Sequence, residues 1–168
     1  MNEEGVYIAV STYLAESGWH VVGGQPPSGT DHLPVIEIKD PGHTGKGSNG
    51  AFKPDLVACK WRSVLIVEVK PLFSPADRKK LLGILGDQRR LSLLIDELDQ
   101  RGFSRQLGLA ANENQVVLAF TGALGFSGLV GNLHGLVGFN VKPDGSVDQV
   151  LSDPPLRVAL NVEGNRYV

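Results

Sequence analysis

The chain has 168 residues, of which 42% are hydrophobic and 20% are charged, a composition typical of one globular domain rather than a disordered or fibrous chain. The net charge of −2 is not that of a wholly basic nucleic-acid-binding protein, and the single cysteine excludes a disulfide framework and a four-cysteine zinc site. Acidic residues stand near the N-terminus where a signal peptide carries basic ones, and no long apolar run occurs, so the sequence predicts a cytoplasmic chain without a membrane span.

Charge is distributed unevenly along the chain. Residues 1–38 contain five acidic side chains and no lysine or arginine, whereas residues 39–105 contain 13 basic and 8 acidic ones. The middle segment is therefore the part of the chain suited to an anionic partner. No linker long enough to divide the chain occurs, so we expect a single domain over 1–168, with a core over about 1–121 and a β-rich extension over about 122–168.

The N-terminal third predicts one helix and two short strands. Apolar residues at three- and four-residue spacing indicate a helix over residues 4–17, which Gly18 ends. Short strands are predicted over 19–22 and 35–39, separated and followed by glycine- and proline-rich loops.

The middle of the chain predicts a β-hairpin followed by a helical region. Asp55–Cys59 and Val64–Val69 are apolar, rich in β-branched residues and joined by a tight connection. Ser74-Pro75 has the form of a helix cap, and the helical pattern continues to about residue 101, with glycines at 83 and 86 as potential breaks. Gln88 is the polar member of the apolar stripe of this region.

The C-terminal third predicts further strands. A strand is expected over 115–121, a hairpin joins strands at 139–141 and 147–151, and a second turn at 164–165 is flanked by apolar segments. The glycine-rich residues 122–138 carry no structural prediction.

One constellation carries chemistry: Pro54-Asp55, then twelve residues, then Glu68-Val69-Lys70. Alternate residues of a strand share a face, so Glu68 and Lys70 are expected to point the same way while Val69 points into the core. Asp55 opens the neighbouring strand. Two carboxylates and one amine are therefore predicted to converge at the end of a strand.

Such a convergence suits Mg²⁺, because this ion takes oxygen ligands and keeps several waters. Asp55 and Glu68 would supply carboxylate oxygens, and the backbone carbonyl of Val69 a third ligand. A bound ion lowers the pKa of water and neutralises charge on a phosphate oxygen. Lys70 would orient the attacking water or stabilise the transition state of phosphodiester hydrolysis.

The pattern Pro54-Asp55…Glu68-Val69-Lys70 resembles the signature of the PD-(D/E)XK nuclease superfamily. The family core is a helix, a three-stranded meander, a helix and a further strand, and the elements predicted over 4–121 follow that order. The resemblance implies an α/β fold of the restriction-endonuclease-like kind, a mixed sheet flanked by helices, and Mg²⁺- or Mn²⁺-dependent cleavage of DNA.

The spacing is most similar to archaeal Holliday-junction resolvases and small restriction enzymes. The first helix lacks the basic residues that resolvases carry around their acid, which leaves a restriction- or repair-type endonuclease, or an inactive relative. The resemblance also implies an acidic residue on the first helix near the metal, for which Glu4 matches best and Glu3 and Glu16 are rivals. It implies a glutamine on the later helix as well, and Gln88 matches that position.

Each of these residues has a simpler interpretation. Glu4 in the first turn of a helix is favoured by the helix dipole, and Gln88 is equally suited to a core position bonded to backbone. A chance occurrence of the motif in an ordinary α/β domain, and a non-catalytic nucleic-acid- or protein-interaction module with the same fold, stand as alternatives to the nuclease.

Contacts with DNA phosphates are expected from basic residues of the middle segment; the alternative for each is a solvated surface. Because cutting both strands of a duplex needs two active sites, a homodimer is also expected. The candidate DNA-binding residues are Lys46, Lys53, Arg78, Lys79, Lys80, Arg89 and Arg90.

Two further segments contain half of the motif. Glu37-Ile38-Lys39 has the Glu-x-Lys spacing but no Pro-Asp at a suitable distance upstream, and Pro143-Asp144 has no Glu-x-Lys after it. We therefore predict a solvated strand for the first, with a contribution to the metal site as the alternative, and a hairpin turn for the second.

Overall fold

The computed structural model describes residues 1–29, 32–43, 47, 50–109, 113–151 and 154–163. In this part of the chain a seven-stranded mixed sheet is flanked by helices on both faces. The protein is therefore of the α/β class, as the sequence predicts. None of the described helices is long and apolar enough to cross a membrane.

The three longer helices begin at side-chain caps that the sequence supplies, whereas the short α4 has no side-chain cap. Asn2 accepts a hydrogen bond from the amide of Gly5, Ser74 from that of Asp77, and the Asp87 carboxylate from the amides at 89 and 90. The described helices are α1 (Glu3–Glu16), α2 (Pro75–Leu85), α3 (Gln88–Gln100) and α4 (Ser104–Leu107).

The strands are β1 (His20–Gly24), β2 (Leu56–Lys60), β3 (Ser63–Val69), β4 (Gln115–Phe126), β5 (Val137–Val141), β6 (Val147–Leu151) and β7 (Val158–Glu163). They are arranged in the order β1-β2-β3-β4-β5-β6, and β7 pairs with β4. β1, β2 and β3 form an antiparallel meander, and β4 runs parallel to both β3 and β5. The twelve-residue β4 has β3 along one edge; its other edge pairs first with β7 and then with β5.

Two apolar layers cover the sheet. On one face α1 packs through Val6, Val10 and Leu14 against β2, β3 and β5. On the other face α2, α3 and α4 pack against side chains such as Val64 and Ile66 of β3. Because both faces of β3 are covered, every side chain from position 64 to 69 is buried, including the one that carries a charge.

The strand prediction at 35–39 is wrong: this segment forms only an isolated bridge between Ile38 and Phe52. The helix predicted from 74 to about 101 is divided in two, because Gly86 ends α2 and Asp87 caps α3. The predicted strand over 115–121 continues through the first glycines of residues 122–138 as far as Phe126. The turn expected at 164–165 lies outside the described residues.

Candidate metal and catalytic site

The candidate site lies where β3 ends and β2 begins. Asp55 immediately precedes β2, Glu68 is the penultimate residue of β3, and Lys70 follows that strand. Leu56 pairs with Val67, so the next step along the antiparallel ladder sets Asp55 beside Glu68. The hairpin register thus brings the two carboxyl groups of the motif to one end of the sheet.

Glu68 is buried, with only 3% of its surface exposed. It alternates with Val64 and Ile66 and therefore faces α2, where the Lys80 ammonium donates a hydrogen bond to Oε2 over 3.0 Å. Its other oxygen, Oε1, is buried and has no hydrogen-bond partner among the described residues. A buried carboxylate with one unsatisfied oxygen is energetically costly unless a ligand or cation completes it.

The electrostatics of Glu68 reflect this burial. Loss of solvent, and next the negative charge of Asp55, raise the pKa of Glu68 to about 7, although the hydrogen bond and positive charge of Lys80 oppose the shift. Near neutral pH the carboxyl group is therefore divided between its protonated and ionised forms. Lys80 also lies over the Phe52 ring, 4.4 Å from the ring centroid, which fixes the ammonium above the carboxylate.

Asp55 is held by the backbone of the strand beside it. Its Oδ2 accepts a hydrogen bond from the amide of Val69 over 2.6 Å. Burial raises the pKa of Asp55 and outweighs the opposing effects of that hydrogen bond and of the Lys70 charge. One oxygen of Asp55 is thus fixed in position, and the carboxyl group lies in the electrostatic range of both Glu68 and Lys70.

Lys70 contacts the first turn of α1. Its Nζ donates a hydrogen bond to Oε1 of Glu3 over 2.7 Å. Burial lowers the pKa of Lys70, but the hydrogen bond to Glu3 and the charges of Asp55 and Glu3 outweigh it, so the pKa lies above its usual value. Lys70 is consequently an ammonium ion at neutral pH and acts as a hydrogen-bond donor rather than as a base.

The two ends of the Glu-x-Lys motif diverge, which corrects the expectation that Glu68 and Lys70 point the same way. Glu68 contacts Lys80 of α2, on one face of the sheet, whereas Lys70 contacts Glu3 of α1, on the other. Lys70 is the first residue after β3, which ends at Val69, and its long side chain reaches the first turn of α1. Asp55 lies between these two ion pairs.

The donor set fits a hard divalent cation with few protein ligands. No three His, Cys, Asp or Glu side chains of the described residues are grouped as a metal cluster. Mg²⁺ commonly binds through only one or two carboxylates and keeps its remaining waters. The unpaired Oε1 of Glu68 beside Asp55 meets that requirement, and the carbonyl of Val69 stays a predicted third ligand.

Two of the helix residues suggested by the resemblance lie elsewhere. Glu4 is exposed, and the structure brings its neighbour Glu3, one of the two rivals, to Lys70; the other rival, Glu16, is exposed in the last turn of α1. Gln88 does not lie on the buried stripe. It is exposed as the first residue of α3, because the break at Gly86 and Asp87 changes the phase of the apolar stripe.

Some of the predicted DNA-binding residues have partners within the protein. Lys53 forms an ion pair with Glu37 over 2.9 Å. The guanidinium of Arg78 donates to the carbonyl of Asn132 over 2.7 Å. Lys80 is bound to Glu68 at the candidate site.

The remaining candidates differ in exposure. Arg90 is mostly buried and forms ion pairs with Asp40 and Asp87, which indicates a structural role. Lys79 and Arg89 are exposed on α2 and α3 and are available to an anionic partner. Lys46 lies outside the described residues.

The sequence prediction missed the contribution of α2 to the site. Lys80 was assigned only to phosphate contacts, and Asp77, whose charge raises the pKa of Glu68, was not singled out. A signal was present: Asp77 and Lys80 stand four residues before Leu81 and Ile84, which face the sheet. Residues four apart share a helix face, so Asp77 and Lys80 could be expected on the side of α2 that faces the sheet.

Comparison of the chain with known proteins finds no matching family model, no matching curated protein and no matching solved structure.

Proposed function

We propose that the protein is a metal-dependent nuclease that hydrolyses DNA phosphodiester bonds, an endonuclease of the restriction or repair type. The observation that carries the proposal is the buried Glu68 carboxylate, with one unpaired oxygen, set beside Asp55 and followed by the charged Lys70 at one end of the sheet. An ordinary solvated strand would expose such a carboxylate, whereas a metal site requires it to be held in the protein.

The fold supports the same proposal. The order of α1, the antiparallel meander β1–β3, the helices α2 and α3, and the parallel strand β4 corresponds to the restriction-endonuclease-like core that the motif resembles. We therefore propose this fold for the chain, with strands β5 to β7 as an addition to one side of the sheet.

Asp55, Glu68 and the carbonyl of Val69 would hold Mg²⁺ or Mn²⁺. The ion would supply charge neutralisation at the scissile phosphate and a lowered pKa of water. The protein's own contribution is geometric: the Val69 amide fixes Asp55, and Lys80 fixes one oxygen of Glu68 while leaving the other for the ion.

Lys70 would stabilise the negative charge that develops on the phosphate. Its raised pKa keeps the ammonium protonated, so it donates hydrogen bonds to phosphate oxygens or to the attacking water. Glu3 positions it from the first turn of α1. The exposed Lys79 and Arg89 would extend the contact along the phosphate backbone, which would make binding fall with rising salt.

The proposal is tested by incubating the protein with supercoiled plasmid and with branched DNA in Mg²⁺, in Mn²⁺ and in EDTA. Cleavage that requires metal and is lost in Glu68→Ala and Lys70→Ala is the expected result. Glu37→Ala and Lys39→Ala are matched controls, because they remove the same residue types from the other Glu-x-Lys segment, and both should cut like the wild type. Cleavage that survives in the Glu68 and Lys70 variants would overturn the assignment.

The second candidate is a non-catalytic interaction module with the same fold. It is favoured by the ion pairs of Lys80 with Glu68 and of Lys70 with Glu3, which neutralise Glu68 and Glu3 without a metal. Titration with Mn²⁺ separates the two functions: a nuclease binds the ion in a manner that depends on Asp55 and Glu68, whereas a module retains its DNA or protein binding in EDTA and in Lys70→Ala.

A further inference from the structure

A cavity of about 420 Å³ lies on the α1 face of the sheet, at the end opposite the carboxylates. Its walls include Tyr13 from the last turns of α1 and Ser63 and Leu65 from the beginning of β3, whereas Glu68 stands at the other end of that strand. The cavity exists because α1 ends at Glu16 and leaves this part of the sheet uncovered by a helix. Its volume is within the range of about 300–1,000 Å³ that small-molecule sites occupy.

The charge of the cavity is positive. Lys60 and Arg157 line it, and no Asp or Glu occurs among its lining residues in the described part of the chain. The Nζ of Lys60 is oriented by donating a hydrogen bond to the carbonyl of Ser17 over 2.9 Å, which occupies one of the three donors of an ammonium group. Two cations in a wall whose described residues include no acid match a ligand with a doubly charged anionic group.

The walls also present aromatic rings and hydroxyl groups. Tyr13 and Phe139 contact each other with ring centroids 5.6 Å apart, and Trp19, three residues after the end of α1, also lines the cavity. Aromatic faces stack on planar rings regardless of the ring's exact chemistry. Ser63 and Thr121 line the floor and supply hydroxyls that can bond to a sugar.

We propose that this cavity binds a nucleoside monophosphate, with the phosphate at Lys60 and Arg157 and the base against the aromatic side chains. A doubly charged phosphate uses both cations, the base uses the rings and the ribose uses the hydroxyls. An aromatic carboxylate, like a nucleoside monophosphate, has a ring and a negative charge. It would leave one cation and the hydroxyl groups of the cavity wall without a partner. The site is separate from Asp55 and Glu68 and does not require the protein to be a nuclease.

The test is an equilibrium titration in EDTA, followed by the fluorescence of Trp19. The chain has two tryptophans, and Trp61 is 63% exposed outside the cavity wall, so Trp61→Phe isolates the signal. AMP and CMP serve as probes, with adenosine, inorganic phosphate and 4-hydroxybenzoate as comparison ligands. We expect saturable quenching by the nucleotides and at least about tenfold weaker binding of each comparison ligand, because each lacks one of the paired interactions.

Variants identify the site. Lys60→Met and Arg157→Met, each in the Trp61→Phe chain, should each weaken nucleotide binding by about tenfold or more. Lys142→Met removes an exposed cation outside the cavity and should bind as the parent does, with circular dichroism confirming that all variants fold. The proposal is overturned if millimolar nucleotide gives no saturable quenching. It is also overturned if either cavity variant binds nucleotide as tightly as the parent, or if 4-hydroxybenzoate binds as tightly as the nucleotides. Repeating the titration with Glu68→Gln, whose binding should be unchanged, separates this site from the proposed nuclease site.

Discussion

The two Glu-x-Lys segments have the same pattern but different surroundings. Glu37 lies beside an isolated bridge, its side chain is 29% exposed, and it forms an ion pair with Lys53. Glu68 lies in a strand that is covered on both faces, and its side chain is 4% exposed. The same three-residue pattern therefore produces a surface ion pair in one place and a buried carboxylate in the other.

The difference teaches that burial, rather than spacing, gives the motif its chemistry. A partly exposed carboxylate with a lysine partner is satisfied and contributes little to stability. A buried carboxylate with an unpaired oxygen carries a raised pKa and an unfilled ligand position. Asp55 adds to this difference, because the hairpin register sets a second carboxyl group beside Glu68.

The largest expected effect comes from removing that second carboxylate. Asp55→Asn makes the Glu68 segment resemble the Glu37 segment, so metal-dependent DNA cleavage should fall by about 100-fold or more through loss of a charged ligand. The rate of plasmid cleavage at several Mg²⁺ concentrations measures the loss. Asp144→Asn is the control for the other Pro-Asp pair, whose aspartate is exposed in a turn and accepts hydrogen bonds from Ser146. Equal activity of the two variants would remove Asp55 from the site.

The next effect is a pH dependence of stability. The native state holds the Glu68 proton more tightly than the unfolded chain, because its pKa rises from 4.5 to about 7. The free energy of unfolding should therefore decrease as the pH rises from about 4.5 to about 7. Glu68→Gln removes this dependence, so its stability relative to the wild type should improve by about 2–3 kcal/mol between pH 4.5 and pH 8.

Urea unfolding in EDTA at the two pH values measures the change. Glu37→Gln, the control, removes a partly exposed ion pair that contributes at most about 1 kcal/mol. A constant difference between Glu68→Gln and the wild type across this pH range would mean that the pKa of Glu68 is the same in the native and unfolded states.

The lysine partners allow a finer comparison. Lys80→Met leaves both oxygens of Glu68 without the Lys80 donor, so stability at pH 8 should fall by about 1–3 kcal/mol, and by less at pH 5, where Glu68 is protonated. Lys53→Met breaks the pair with Glu37 and should cost less than about 1 kcal/mol. Thermal unfolding with and without Mg²⁺ provides the measurement. If Mg²⁺ restores no stability to Lys80→Met, the proposed metal ligand role of Glu68 is contradicted.

Local sequence patterns were sufficient for the hairpin that carries the motif. Apolar runs rich in β-branched residues and the tight connection after Lys60 predicted β2 and β3, and from them the approach of Asp55 to Glu68. The direction of Lys70 was not predictable in the same way, because it depends on where β3 ends and on which helix lies within reach. Which side chains contact each carboxylate depends on how the helices pack against the sheet, and local sequence patterns do not determine this packing.

The failures at Gln88 and at residues 35–39 have a common physical cause. A periodic pattern assumes an uninterrupted element, but Asp87 caps a new helix and thereby shifts Gln88 to the surface. The apolar alternation around Ile38 satisfies a core contact without a continuous ladder of hydrogen bonds. Conversely, β4 continues through glycines of low strand propensity, because Gly122 and Gly125 allow close packing of Leu136 and Val10 against the sheet.

The smallest effect distinguishes the two adjacent acids of α1. Glu3→Gln removes the charged partner of Lys70 and should lower cleavage activity by about three- to tenfold, the value of one charge-assisted hydrogen bond. Glu4→Gln is a closely matched control, since both residues lie in the first turn of α1 and interact similarly with the helix dipole. Its activity should stay within about twofold of the wild type, because an exposed neighbour contributes only through that weak field. Single-turnover cleavage rates resolve such differences. If Glu4→Gln lowers the rate more than Glu3→Gln does, Glu4 is the acid near the metal, as the resemblance first suggested.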